Sequence, residues 1–486
     1  MTKNETNKGK SYKDLHRPAK EFASRDEYLK HELQIMAPKR WKLNLPGRDF
    51  NFEIEDTVVA MAVLIGKIVM TAAIVAAFAS GFGLEDSFVT ENVRFEMIIG
   101  GIFVIIFSGL LLPTANVAGC HGPMIPLIPL VVVAGGHPLA FGLMVGLLGL
   151  ILGGVKGGTK LLEMTGPGVR GGLLIVVGVM GIMGQLTALK GWADQIEMPI
   201  AFLAIILVTI ISYTILEKYG KRWLAIPLCS FLAIITALIL GAPFKFVTEP
   251  GIPNLNPAYW WGENSGWMLG LPEYSHFIAV IPFAVLAIAM WPPDFLGHRV
   301  FQEANYPTKS KKVLMDVDDT MVISALRQIF GSILGGGNLA SSAGTYMIPA
   351  GIAKRPIAAG AILGGISWIL IAILGLPMDV ALWAPVLRVA LIVGVFLPLI
   401  EAGLQMVKNS RNAQSATLCI MAAIFVNPVF GWSLAMVADN TGLLGDVERA
   451  KSLKLKYRTV LPVVTFILTT LAMAAIGLIP GIKAFV

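Results

Sequence analysis

Long apolar runs alternate with short polar stretches along the chain from residue 57 onward. A helix needs about 20 mainly apolar residues to cross the hydrocarbon core of a bilayer. By that length the pattern predicts twelve full transmembrane helices, at 57–82, 95–113, 138–155, 171–189, 198–216, 223–242, 274–294, 320–336, 356–377, 383–407, 412–430 and 457–480. Two apolar pieces, 124–135 and 346–353, are too short to cross as helices. Counted as half-spans, they give about fourteen segments of an all-α polytopic membrane protein.

The two half-spans follow matching stretches of sequence. FSGLLLPTANVAGCHGPMIP (Phe107–Pro126) aligns without a gap with FGSILGGGNLASSAGTYMIP (Phe330–Pro349), and a P-x-A-x-G-x-x-x-G pattern follows each, from Pro138 and from Pro356. We interpret this as an internal duplication of seven segments, whose odd number inverts the second copy. Inverted repeats with broken helices at the midplane are typical of secondary transporters. Ordinary glycine-rich helix packing is the alternative, but it explains neither the duplication nor the short lengths.

Each matching stretch predicts extended chain in the middle of the membrane, at 116–123 and at 338–345, followed by a half-helix. The free N–H groups and the positive dipole end of each half-helix would then face the midplane. Irregular backbone at that depth is tolerated only where protein or a water-filled cavity covers it. The pattern therefore predicts a binding site between the two half-helices.

Composition agrees with a membrane protein, because 55% of the 486 residues are hydrophobic and only 14% are charged. Soluble proteins carry about 25% charged residues. The first 50 residues hold 12 Lys+Arg against 7 Asp+Glu, which favours a basic cytoplasmic tail over an arm that binds nucleic acid. The three cysteines have no C-x-x-C spacing, so neither a disulfide framework nor a zinc site is expected, and no cofactor is predicted.

Loop charges predict the orientation, since cytoplasmic loops carry an excess of Lys and Arg. Basic residues cluster in alternate loops near 156–170, 218–222, 309–312, 354–355 and 408–411. The intervening loops are acidic, the first of them through Glu85, Asp86, Glu91 and Glu96. Both termini are therefore expected in the cytoplasm. The basic stretch 445–458 conflicts with this scheme, so either 431–445 re-enters the membrane or the span count is wrong there.

Several motifs resemble a known transporter fold. DFLGHRVFQEAN, from Asp294, resembles the end of segment 8 in bacterial uracil permeases and their nucleobase–ascorbate relatives, where an acidic residue before a Gly-His pair binds substrate. GSILGGGNLASSAGTYMIPAGIAKRPIAAG resembles segments 9–11 of that family and is equally similar to sulfate permeases. The resemblance implies a core domain (51–165 and 273–378) and a gate domain (166–272 and 379–486) behind an N-terminal tail (1–50). It also implies that substrate binds between the half-helices of segments 3 and 10.

Two charged residues are candidates for this site. Lys67 lies near the middle of the first span, where a lysine is costly unless it is paired or hydrated. It could balance an anionic substrate or pair with Asp294, although a structural contact with a backbone carbonyl is the alternative. Asp294 follows Trp291-Pro292-Pro293, which we expect to break the helix locally. It could bind substrate or titrate, or it could be a charge at a helix end on the cytoplasmic surface.

Small polar residues complete the predicted site beside the half-helices. His121 could bind substrate or carry a proton, and hydroxyl groups beside a helix N-terminus suit an oxyanion. The alternatives are a histidine bonded to a carbonyl and small residues chosen for packing. Nucleobase permeases carry a second carboxylate at the start of segment 10, and its absence here favours an anion. The predicted substrate-binding residues at the half-helices are Cys120, His121, Gly122, Ser341, Ser342, Gly344 and Thr345.

Other conspicuous residues are expected to have supporting roles. Arg388 and Glu401 share one gate-domain span, which suggests a salt bridge or a role in gating. The aromatic cluster Tyr259, Trp260 and Trp261 is typical of a membrane-interface belt.

Together these features predict a secondary active transporter for a small anion or organic acid, coupled to H+ or Na+. We expect an elevator-like movement of core against gate in a bacterial inner membrane, with a homodimer as the assembly and no nucleic-acid partner. A permease for a nucleobase or related heterocycle is the alternative, and an anion channel is less favoured. A membrane enzyme is disfavoured because the sequence contains no GxSxG, HExxH or DDxxD.

Overall fold

The computed structural model describes residues 11–84, 86–116, 128–243, 250–261, 269–336, 349–375, 384–475 and 477–483. These residues are largely α-helical and contain no β-strand. In the first half the helices are α1 (Tyr12–Leu15), α2 (Arg25–Ile35), α3 (Ile54–Phe82), α4 (Asp86–Phe103), α5 (Ile128–Val133), α6 (Pro138–Gly154), α7 (Gly157–Met164), α8 (Pro167–Gln195), α9 (Pro199–Lys218), α10 (Ala225–Ile239) and α11 (Pro257–Trp261).

In the second half the helices are α12 (Tyr274–Asn305), α13 (Val317–Ile333), α14 (Ile357–Leu374), α15 (Ala384–Leu391), α16 (Leu397–Met406), α17 (Ser410–Phe425), α18 (Pro428–Thr441), α19 (Val447–Ser452) and α20 (Leu461–Ala475). Wider π-helical turns extend α4 (Val104–Leu111), join α15 to α16 (Ile392–Phe396) and precede α20 (Lys456–Val460). Residues 349–352 are also helical.

Seven helices of the described chain are long and apolar enough to cross a bilayer. They are Phe88–Leu111, Pro167–Gln195, Pro199–Lys218, Arg222–Ile239, Ile357–Leu374, Arg388–Met406 and Lys456–Ala475. Apolar side chains such as those of Leu203, Leu207 and Ile211 on α9 are half-exposed, as expected for surfaces that face lipid. The protein is therefore an integral membrane protein, as the sequence predicts.

The packing of the helices repeats between the two halves. α4 packs along α14 and α13 packs along α6; α3 also packs against α14, and α12 against α6. A repeat of seven segments relates each of these contacts to its counterpart, since it matches α3, α4 and α6 with α12, α13 and α14. The helix pairs α9–α10 and α17–α18 correspond in the same way, and α8 packs against its own counterpart α16. The two short helices, α5 and 349–352, lie at the predicted half-spans.

Helices α4 and α14 approach each other closely at Gly101 and Gly365. A Cβ atom on Gly101 would lie 2.8 Å from the carbonyl oxygen of Gly365, and a Cβ on Gly365 would lie 2.6 Å from that of Gly101. Real Cβ atoms do not come so close to backbone, so neither position accepts a side chain without movement of a helix. This contact brings the first and second halves together beside the candidate site.

The predicted span 412–430 is wrong at its carboxyl end, because the chain forms two helices there. α17 ends at Phe425, and α18 begins at Pro428 after Asn427, whose side chain accepts a hydrogen bond from Phe430 N–H at 3.0 Å. The two helices pack side by side, and Arg411 in the first turn of α17 lies 3.7 Å from Asp446 after α18. α18 therefore brings the chain back to the end where α17 began. The predicted count of fourteen segments is not confirmed, because α20 follows these as a further crossing.

This hairpin accounts for the conflict in the loop charges. The basic stretch 445–458 lies at the same end as the other basic loops, since Arg449 donates a hydrogen bond to the carbonyl oxygen of Met164 at 3.2 Å. Asn427, at the far end of the hairpin, contacts the carbonyl oxygen of Leu478 at 3.4 Å. Residues 477–483 thus lie at the end opposite to the N-terminal segment. This arrangement disagrees with the prediction that both termini lie in the cytoplasm.

The N-terminal segment is folded against the helix bundle, where the sequence suggested only a basic tail. Arg40 binds the buried carboxylate of Asp319 on α13 through Nε at 2.7 Å, and Lys354 binds Asp26 at 2.6 Å. The backbone N–H of Trp41 donates to the carbonyl oxygen of Leu111 at 3.0 Å. Segment 11–53 therefore joins the end of α4, in the first half, to α13 and α14, in the second. We call the end that it covers the capped end of the bundle.

Candidate functional site

Three charged side chains meet inside the membrane-spanning helices. Lys67 on α3, Glu96 on α4 and Arg327 on α13 are each at most 1% exposed. Lys67 Nζ lies 3.8 Å from Glu96 Oε2, and the Arg327 guanidinium donates a hydrogen bond to that same oxygen. We call these three residues the charge cluster. It places two cations around the carboxylate of Glu96 in the interior of the membrane-spanning helices, and an isolated charge is costly there.

The surrounding helices shape the charge cluster. Lys67 Nζ lies 5.5 Å from the ring centroid of Trp368 on α14, within range of a cation–π interaction. A Cβ on Gly100, one turn after Glu96, would lie 3.5 Å from Lys67 Nζ and 3.4 Å from the Trp368 ring. Glycine at this position therefore leaves room for the lysine between α4 and α14. Arg327 also donates to the side-chain oxygen of its neighbour Gln328.

The other carboxylate oxygen of Glu96 faces Gly336, which follows α13. Oε1 is buried and accepts no hydrogen bond from the residues that the structure describes. A Cβ on Gly336 would lie 2.6 Å from it. Asn92, one turn earlier on α4, donates to the carbonyl oxygen of Gly336 at 3.4 Å. The face of α4 that carries Asn92 and Glu96 thus lies against the chain where it leaves α13 toward residues 337–348.

The predicted site residues have different outcomes. Lys67 is buried near the middle of α3, as predicted, and its ion-pair partner is Glu96, which was not foreseen. Asp294 lies within α12, which continues without a break through Pro292 and Pro293. The prediction of a local helix break was therefore wrong, and Asp294 is eleven residues from the last residue of its helix rather than at a helix end. The side chain of Asp294 lies outside the described structure, so its pairing with Lys67 stays a prediction.

The remaining predicted site residues fall on stretches outside the description of the structure. These residues are Cys120, His121, Gly122, Ser341, Ser342, Gly344 and Thr345. The predicted extended stretch 338–345, and all but the first residue of 116–123, lie there too. Their role in binding stays a prediction.

Sequence reasoning missed two members of the charge cluster. Glu96 was counted with the acidic outer loop although it is the second residue of the predicted span 95–113. In the structure α4 begins at Asp86 and its apolar part at Phe88, so Glu96 lies well inside the helix. Arg327 lies within the predicted span 320–336. An arginine inside a predicted span is enough to indicate a functional residue, but Arg327 was not chosen as a candidate. An ionisable residue inside a membrane segment indicates a functional site.

The two supporting roles have different outcomes. Glu401 forms a salt bridge with Arg222, as one alternative predicted, and accepts a hydrogen bond from Tyr213 at 3.0 Å. Arg388 donates to Gln185 at 3.1 Å, and a role of either residue in gating stays a prediction. Trp260 is not part of an interface belt, because it is completely buried and packs against Phe88 and Phe95.

The described residues contain no group of three or more His, Cys, Asp or Glu side chains that could hold a metal ion. What the charge cluster can do chemically is attract and hold an anion. Lys67 and Arg327 supply the positive charge. Glu96, whose carboxylate is bonded through one oxygen only among the described residues, is a group that an anion can displace.

Residues 3–486 match one protein family, described as "Protein of unknown function (DUF3360)". No curated protein is significantly similar in sequence. Among solved structures, one of SLC26A9 has a TM-score of 0.49 at 12% identity, with 79% of this chain and 64% of that chain covered. The transmembrane domain of the cyanobacterial bicarbonate transporter BicA has a TM-score of 0.46 at 14% identity, with 86% and 96% covered.

The structure of the murine anion transporter Slc26a9 in its inward-facing state has a TM-score of 0.43 at 10% identity, with 81% and 68% covered. This chain thus spans a little less than two thirds of the first of these structures. These similarities are limited to the general arrangement of the helices.

Proposed function

The chain belongs to the DUF3360 family of proteins of unknown function, and we propose that it is a secondary active transporter for a small anion or organic acid. The single observation that supports this proposal is the charge cluster. Among the described residues, two buried cations share one carboxylate inside a membrane protein, next to Gly336. Charges at such depth are retained at substrate and ion pathways, and an excess of cationic groups suits an anion.

In this proposal Lys67 and Arg327 attract the anion, and the predicted residues of the two half-helices surround it. His121 and Ser341 are the first candidates from each stretch. Asp294 is the candidate for coupling to H+ or Na+. The carrier transports its substrate unchanged, so the chain is not an enzyme.

We further propose an elevator-like movement of two domains. The core domain would contain 51–165 and 273–378, and the gate domain 166–272 and 379–486. All three helices of the charge cluster fall in the core. A separate apolar cluster joins α8–α10 to α15 and the following turn, and includes Ala62 of α3. In the cytoplasmic membrane the basic capped end would face the cytoplasm, with residues 477–483 on the opposite side.

Thermal melting of the purified protein tests the substrate class. We expect chloride, bicarbonate, sulfate or succinate to raise the melting temperature of the wild type, because a ligand that binds only the folded state stabilises it. Lys67→Ala should lose this effect. Lys30→Ala, which removes a surface lysine paired with Asp26, is the control and should keep it. Stabilisation by uracil or xanthine and by none of the anions would contradict the proposal and favour a nucleobase permease.

A further inference from the structure

Glu96 sits between the two cations that the anion would need. We propose that Glu96 is a tethered counter-anion: it offsets one of the two positive charges of Lys67 and Arg327 in the unloaded carrier, and the transported anion displaces it from them. This inference rests on the proposed function, because it requires an anion that reaches these cations. It assigns Glu96 a part in the transport cycle beyond substrate attraction.

The bonding of Glu96 supports a displaceable role. Both cations contact the same oxygen, Oε2, while Oε1 has no hydrogen-bond donor among the described residues although it is buried. A buried acceptor without a partner is unfavourable. The carboxylate is therefore attached through one oxygen only, on the side of α4 that faces Gly336. An anion that arrives on the Gly336 side of α4 would meet Glu96 and the two cations together.

The elements packed around α4 present positive charge to Glu96. α3 presents Lys67 and α13 presents Arg327, whereas α14 has no charged residue and presents Trp368. On α4 itself, Arg94 is turned toward Glu91 and the carbonyl oxygen of Ala372.

The other charged residues of α3 and α13 lie in their first turns at the capped end: Glu55, Asp56, Asp318 and Asp319. Of these, Glu55, Asp56 and Asp319 bind arginines there. Within the described structure, Glu96 is thus the carboxylate that contacts these two cations.

The contacts of Glu96 with the two cations predict whether the carrier needs Glu96 when its site crosses the membrane loaded or when it crosses empty. A carrier must return its site across the membrane either loaded or empty, and unbalanced charge in a low-dielectric environment is costly to move. When an anion is bound, it and Glu96 together match the two positive charges of the cluster. When the site is empty, Glu96 offsets one of them, and without Glu96 both would have to move unbalanced. Glu96 is therefore needed for net transport, which includes the empty return, but not for exchange of one anion for another.

The test compares net uptake with counterflow in proteoliposomes, using whichever of chloride, bicarbonate, sulfate or succinate the wild type transports. In Glu96→Gln we expect net uptake into anion-free vesicles to fall by roughly tenfold or more, which corresponds to about 1.4 kcal/mol in the barrier. Counterflow exchange should remain, and the anion should bind more tightly because its internal competitor is gone. Glu91→Gln removes another glutamate of the same helix, paired with Arg94 at 2.9 Å, and should leave the ratio of uptake to exchange unchanged.

The outcomes separate this inference from the proposed function. An unchanged ratio in Glu96→Gln, or an equal loss of uptake and exchange, overturns the inference while wild-type transport still supports the proposed function. A wild type that transports none of the probes overturns both. If Glu96→Gln cannot be purified, Glu96→Asp keeps the charge with a shorter reach. It should slow net uptake more than exchange, and equal slowing would again overturn the role.

Discussion

Two buried ion clusters of this protein differ in their balance of charge. Near the capped end, Asp56 and Arg355 form a one-to-one pair, each at most 1% exposed. Arg355 donates to both carboxylate oxygens of Asp56, at 3.2 and 3.0 Å, and to the carbonyl oxygen of Asn51 at 2.7 Å. In the charge cluster, Lys67 and Arg327 share a single oxygen of Glu96. The first arrangement uses both oxygens of its carboxylate and the second uses one.

This difference in charge balance distinguishes a structural ion pair from a binding site. A buried pair is costly to form and still more costly to break, because removal of one partner leaves the other charge buried and unpaired. Matched charge and shared hydrogen bonds are therefore expected where the pair only holds helices together. An uneven set of charges with an unused acceptor is expected where a ligand completes the arrangement.

The largest expected effect comes from breaking the matched pair. Arg355→Met leaves Asp56 buried without its guanidinium, and we expect a loss of about 3–5 kcal/mol in stability. Arg327→Met should cost less, because Lys67 still pairs with Glu96. Melting temperatures in detergent check this order, and the double variant Asp56→Asn/Arg355→Met should recover part of the loss. A larger loss of stability in Arg327→Met than in Arg355→Met would show that the charge cluster, and not the Asp56–Arg355 pair, is the main structural ion pair.

A smaller effect is expected where a matched pair is partly exposed. The Arg40 side chain is 63% exposed, but its partner Asp319 is only 2% exposed. Arg40→Ala should therefore cost about 1–3 kcal/mol, because a buried carboxylate loses its hydrogen bonds. The measurement is again the melting temperature, with Lys39→Ala as control, since Lys39 lies farther from its partner Asp49, at 3.4 Å. If the two variants melt alike, the N-terminal segment is not held by Arg40.

Much of the fold could be predicted from hydrophobic length alone. Helices such as α9, α10 and α14 lie close to their predicted spans because each is one uninterrupted apolar run. The split between α17 and α18 was missed although the sequence signals it. Asn427 followed by Pro428 is a typical helix start, with a capping side chain and a proline at the first helical position. An apolar run of sufficient length concealed this turn.

The charge cluster could be predicted only in part, for a different reason. Lys67 is the one charged residue in an apolar run, so the sequence alone shows that placing its charge in the membrane is energetically costly. Glu96 lies close to Glu91 and Arg94, and this local polarity concealed its burial. Which carboxylate pairs with Lys67 depends on how α3, α4 and α13 meet, and one sequence does not specify contacts between distant segments.

Acid tests the cost of a single buried charge at a site that is neutral at higher pH. His137 lies in the turn between α5 and α6, outside the membrane-spanning helices, and is completely buried. Nδ1 accepts a hydrogen bond from Leu139 N–H at 3.1 Å, and Nε2 lies 3.0 Å from the carbonyl oxygen of Gly270. Burial lowers the pKa of His137 to about 4; the contact with Gly270 opposes this shift and the nearby His276 adds to it.

The sign of the pH dependence follows from this shift. Histidine in the unfolded chain has a pKa of about 6.5, so above that pH His137 is neutral in both states and its burial carries no electrostatic cost. As the pH falls from about 6.5 toward 4, the unfolded chain takes up a proton that the folded protein does not, and stability decreases by roughly 1 kcal/mol at pH 5.5. His137→Asn can keep the cap on Leu139 but does not titrate. Its melting temperature should therefore fall less steeply between pH 6.5 and 5 than that of the wild type. Equal slopes would show that His137 accepts its proton within the fold, and that burial alone does not make a charge costly at this end of the bundle.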